Sequence, residues 1–104
     1  MLSHAVYFTM KDKNSIDSLI ESCRTHLTNH PGALSFAVGT CANEYDRQVN
    51  DRDFDVALEI IFESHGAHDT YQTSDRHQKF IADNAEKWAQ VRVFDVDVAT
   101  LERN

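Results

Sequence analysis

The sequence predicts an α+β domain in which helices cover one face of an antiparallel four-stranded sheet. Three observations predict it. Four stretches alternate in hydropathy with the two-residue period of a strand. Helical stretches separate them in the order strand, helix, strand, strand, helix, strand. The 104 residues, 41% apolar and 26% charged, suit one domain with one modest core and no internal repeat or linker.

The first strand is "LSHAVYFTM", with Leu2, His4, Val6, Phe8 and Met10 on one face and Ser3, Ala5, Tyr7 and Thr9 on the other. "KDKN" turns the chain. Asn14 or Ser15 caps a helix over 15–29, Asp17 favours its dipole, and Ile16, Leu19, Ile20, Cys23 and Leu27 form its apolar stripe. "NHPG" ends it. In "ALSFAVGTC", Leu34, Phe36 and Val38 oppose Ser35, Ala37 and Gly39, and Gly39 marks a bulge or a close backbone approach. "ANEYDRQVNDR" is an exposed connection. In "FDVALEIIF", Phe54, Val56, Leu58, Ile60 and Phe62 face one way and Asp55, Ala57, Glu59 and Ile61 the other. Ser64 caps a short helix over 65–72, and Thr73 or Ser74 caps another that runs to about Lys87. "VRVFDVDV" is the last strand.

This order is the split βαβ, ferredoxin-like pattern. Its uncovered sheet face carries Ala5, Tyr7, Ala57 and Ile61, which calls for a second copy of the chain packed sheet to sheet. The net charge of −7 argues against nucleic acid or an anionic membrane as partner. The first residues have neither a basic leader nor the length of a spanning helix, so the expected location is cytoplasmic. Cys23 and Cys41 lack a C-x-x-C spacing and read as buried free thiols in a reducing compartment, Cys23 on the apolar face of its helix.

The chemistry concentrates in "YQTSDRHQKF", which sets a phenol, Tyr71, six positions before an imidazole, His77. A cap at Thr73 or Ser74 puts His77 in the first turn of a helix, where the dipole favours a neutral ring able to act as a general base. Tyr71 then donates its hydroxyl to an oxygen that gains charge. The competing reading is a helix cap flanked by two packed rings. His4 is a lone polar residue on an apolar strand face, either a core histidine or part of the same pocket. His26 and His30, and His65 and His68, have helical metal-like spacing but no evident third ligand and read as surface residues, so no metal and no cofactor are expected. Asp46, Asp51, Asp53 and Asp55 read as a solvated loop. There is no phosphate loop, nucleotide fingerprint or Ser-His-Asp arrangement.

His4, Lys11, Pro31-Gly32, Phe36 with Gly39, "FDVALEIIF", "YQTSDRHQKF" and "VFD", in this order, resemble the stress-responsive A/B barrel domain family, from about residue 3 to 98. The resemblance implies a homodimer whose two ferredoxin-like sheets form an α+β barrel. It is similar at Tyr71 and His77 to the family's plant polyketide cyclase, which closes a ring by aldol condensation without cofactor. It implies catalytic roles for Tyr71, His77 and His4. It also implies a wall of Val6, Phe8, Leu58, Phe80 and Trp88 around a small apolar carbonyl compound. Three functions fit: a cofactor-free cyclase, isomerase or lyase; a ligand-binding module; or a non-catalytic stress or assembly protein. A pocket open to Tyr71 and His77 favours the first two, and one plugged by Phe8, Phe80 or Trp88 favours the third.

Overall fold

The computed structural model describes residues 1–103. Its elements are β1 (Leu2–Met10), α1 (Ile16–His26), β2 (Ala33–Thr40), β3 (Val56–Phe62), α2 (His65–Thr73), α3 (Asp75–Asn84) and β4 (Trp88–Asp97), with single 3₁₀ turns before α1 and after α3. The strands form one antiparallel sheet in the order β2-β3-β1-β4, the ferredoxin-like arrangement. The fold class and element order are those predicted from the sequence.

The alternation of β1 becomes a strict alternation of burial. Leu2, His4, Val6, Phe8 and Met10 are buried, and the residues between them are half-exposed. In register, His4 faces Ile60 on β3 and Asp95 on β4, Val6 faces Leu58 and Val93, and Phe8 faces Val56 and Val91. Helix α1 lays Leu19 and Cys23 onto this layer, and Leu27 at its C-cap follows them, in one core with Phe62 and Ile60. Each such large side chain contributes about 1.5–3 kcal/mol on burial.

The helices cover the β2, β3 and β1 part of the sheet and leave the inner face of β4 open, so Val91 and Val93 are 38% and 51% exposed. No helix of the described residues is long and apolar enough to cross a membrane.

Several local expectations need correction. Helix α1 stops at His26, because the chain turns at Leu27 and enters the left-handed region at Asn29 (φ 59°). Ser15 stands at the cap position of α1 but makes no side-chain cap bond, and the side-chain cap belongs to the preceding 3₁₀ turn, where Asp12 accepts from the Asn14 amide. The bulge of β2 falls between Ala33 and Ser35, which turns Leu34 outward, and Gly39 has no atom within 4 Å of a Cβ. Phe54 lies before β3 and not on its inner face. It packs edge-on to Tyr7 of the outer face, ring centroids 5.0 Å apart, and Tyr7 meets Phe94 of β4 at 5.6 Å. The outer face is therefore more aromatic than the alternation of β1 and β3 suggests. α3 ends at Asn84, and a 3₁₀ turn carries the chain to Lys87.

Candidate active site

Helix α2 starts at Ser64, whose hydroxyl accepts from the Ala67 amide, and α3 starts at Ser74, whose hydroxyl accepts from the His77 amide. Each cap contributes about 1 kcal/mol, and together they fix the bend that brings Tyr71 and His77 side by side. Arg76 adds a long-range tie. Its guanidinium donates to the carbonyls of Thr25 and Thr28 at 2.8 and 2.7 Å, answering open carbonyls at the end of α1. Asn84, buried, donates to Ser22 and to the Phe80 carbonyl, which pins the far end of α3.

Between these two helices and the sheet lies a cavity of about 370 Å³. His4, Tyr71 and His77 reach it, and Val6, Phe8, Leu58, Phe80 and Trp88 form apolar parts of its wall. Phe8 stands 5.0 Å from Trp88 and 6.2 Å from Phe80 between ring centroids, so the three aromatics line one end and leave the cavity open.

Tyr71 is the centre of a ring cluster. His77 lies 4.8 Å and His4 5.9 Å from it between centroids, both edge-on. His30 closes a third side at 4.8 Å. The surface role expected for His30 is wrong: it is 7% exposed and bonds through Nε2 to the His26 carbonyl at 2.8 Å. The surface reading of His68 is also wrong, because α2 turns it into the cavity, 4.9 Å from His4, while His65 stays outside.

Burial dominates the electrostatics. It pushes the Tyr71 phenol well above its usual range, so the hydroxyl keeps its proton and serves as a donor. Burial, helped by the nearby His4 and His30, holds His77 below the ordinary imidazole value. Its Nδ1 is buried without a hydrogen-bond partner among the described residues, as is the indole Nε1 of Trp88. Burial also lowers His4 and outweighs the opposing pull of Asp95. His4 is therefore a neutral ring whose Nδ1–H donates to Asp95 Oδ1 at 2.5 Å, which leaves Nε2 as the basic atom, 3.4 Å from the Gln72 amide.

Asp95, Gln72 and His68 escaped the sequence reading. The alternation Val91, Val93, Asp95 puts the carboxylate on the inner face of β4, and His68, Tyr71 and Gln72 share one face of α2 at three- and four-residue spacing. Those two signals were the ones available.

The comparisons with known proteins agree with this architecture. The family model described as the stress responsive A/B barrel domain matches residues 2–98. No curated protein matches the chain in sequence. Among solved structures, At3g17210 from Arabidopsis thaliana is similar with a TM-score of 0.77 and 18% identity, covering 99% of this chain and 100% of that one. A hydroxynitrile lyase from Passiflora edulis has a TM-score of 0.74 and 20% identity, covering 97% and 96%. A protein from Thermobifida fusca, described as dimeric and ferredoxin-like and of unknown function, has a TM-score of 0.75 and 16% identity, covering 93% and 90%. At these identities the likeness is one of fold, and the family match over nearly the whole chain is the stronger finding. The chain belongs to the stress-responsive A/B barrel domain family.

Proposed function

We propose that this protein catalyses proton transfer next to the carbonyl of a small, largely apolar compound, as in an enolisation, aldol cyclisation or related lyase step. The observation that carries the reading is one buried phenol flanked by two buried imidazoles in a cavity with largely apolar walls, where burial favours the neutral form of all three. Neutral His77 takes the proton from the carbon. The C–H electron pair becomes the carbon–carbon double bond of the enolate, the carbonyl π pair moves onto the oxygen, and the Tyr71 hydroxyl stabilises the charge that forms there. His4, oriented by Asp95, is the second proton-transfer group, able to serve the other face of the enolate or the alkoxide left by carbon–carbon bond formation. A cavity of about 370 Å³ accommodates a single-ring or short-chain compound. The hydroxynitrile lyase of the same fold supports the reading at the level of the scaffold.

The test is deuterium uptake at the α-carbon of aryl methyl ketones in D₂O, followed by proton NMR with chelator present. Uptake should exceed the buffer rate, vanish in His77→Ala, and fall roughly 10²–10³-fold in Tyr71→Phe, which removes only the oxyanion donor. Uptake that His77→Ala leaves unchanged sinks the assignment. Ketones that bind without exchange would make the chain a binding module.

A further inference from the structure

Three side chains from three elements meet at the rim of the cavity: His4 from β1, His68 from α2 and Asp95 from β4. One ligating atom of each lies within 4.8 Å of the other two. Asp95 Oδ1 stands between the rings, 2.5 Å from His4 Nδ1 and 4.0 Å from His68 Nε2. A second carboxylate, Asp69, sits 3.2 Å from His68 Nδ1 and orients that ring with Nε2 toward the cluster. The helical histidine pairs do not account for this arrangement, since His68 finds its partners across the sheet and not at His65.

Two imidazoles and one carboxylate on one side of a cavity form a donor set suited to zinc or iron(II), with the remaining coordination positions facing the open space. We propose that His4, His68 and Asp95 bind one divalent transition-metal ion through His4 Nδ1, His68 Nε2 and the Asp95 carboxylate. His4 is held by the core, while Asp95 has 42% of its side chain exposed and His68 rides on a two-turn helix. The adjustment therefore falls on Asp95, which must ease away from His4, and on His68, which must close its 4.0 Å gap to Asp95, to reach the roughly 3 Å separation of ligands bound at about 2.0–2.2 Å. The ion takes the place of the proton now on His4 Nδ1, and that proton moves to Nε2. His4 stays neutral but changes tautomer, so its cavity-facing nitrogen becomes a donor instead of a base. Metal occupancy and base chemistry at His4 thus exclude one another, while Tyr71 and His77 are untouched.

Cobalt(II) titration of tag-free, chelator-stripped protein tests the site without any turnover. Visible ligand-field absorption should saturate at one cobalt per chain and be displaced by zinc. His68→Ala and Asp95→Ala should each weaken binding about tenfold or more. His65→Ala, an exposed control three residues away, should bind as the parent does. Thermal melts confirm that each variant is folded, and the exposure of Asp95 makes its variant the safe one. Absence of a saturable band, or a band that survives in both His68→Ala and Asp95→Ala, overturns the site. Deuterium exchange on the chelated protein is a separate measurement, so either reading can fail alone.

Discussion

Gly32 offers a sharp test of how helix α2, which carries His68 and Tyr71, is seated. It lies just before β2 with φ +80°, and a Cβ placed on it would sit 2.5 Å from the Cβ of Ala67 and 3.2 Å from the Glu63 carboxylate. Gly32→Ala therefore carries two costs. An L-residue in the left-handed region loses about 1–2 kcal/mol. The collision with Ala67 is short of a normal carbon contact by roughly 1–1.5 Å, so α2 must shift, an overpacking cost of about 1–3 kcal/mol. The sum, about 2–5 kcal/mol, is a large part of the roughly 5–15 kcal/mol that holds a domain of this size. Urea unfolding followed by circular dichroism should show that loss as a lower midpoint. Ala67→Gly alone should cost about 1 kcal/mol from helix propensity. The double variant removes the collision but keeps the backbone strain, so it should recover about 1–3 kcal/mol relative to simple addition. Additivity within about 0.5 kcal/mol, or a loss below about 1 kcal/mol in Gly32→Ala, would refute the steric account.

Other expectations follow from the same geometry. The aromatic outer face of Tyr7, Phe54 and Phe94, with Val96 54% exposed beside it, should pair two chains. Sedimentation at micromolar concentration should find a dimer, and Phe94→Asp should shift it toward monomer by burying an unpaired charge. His4 and His77 have folded-state values below the ordinary 6.5, so below that pH the unfolded chain binds protons first. Stability should be flat above about pH 6.5 and fall on acidification until the folded-state values are passed. His77→Ala should flatten part of that slope, and an unchanged urea midpoint from pH 8 to 5 would contradict the assignment. Cys23 is fully buried, with its thiol pushed up to about 12, so a thiol reagent at pH 8 should label Cys41 and spare Cys23 until the protein unfolds.

The fold was legible because its signals are local. The alternation of β1 and β3, the stripe of α1 and the caps at Ser64 and Ser74 each depend on a few neighbouring residues, and each reappears in the structure. What stayed hidden depends on register. Asp95 meets His4 because β4 pairs with β1 in one alignment, and a single-residue slip would turn the carboxylate to the outer face. The burial of His30 and the inward turn of His68 were illegible for a related reason. Histidine is amphipathic, and only the placement of α2 against β3 decides that His68 faces inward and that Tyr71 covers His30, which lies in the segment after α1. Phe54 was misplaced because an alternating pattern continues on paper past the point where the strand begins, at Val56.

The pairing of β1 with β4 also has a kinetic consequence. It runs from Leu2 opposite Asp97 to Met10 opposite Trp88, and the hydrogen-bonded His4 and Asp95 are 91 residues apart in the chain. Bringing such distant segments together costs about 4 kcal/mol in loop-closure entropy, against about 2.4 kcal/mol for the connection over residues 41–55 between β2 and β3. Non-local pairings of this kind are slow and follow the nearer ones. A chain caught partway, with its helices and the β2–β3 pair in place, has Tyr71 beside His77 but no oriented His4 and no cavity floor. The appearance of the pocket during refolding is then a clock for the last long-range step, and the newly made chain has a complete cavity only when its first and last strands have met.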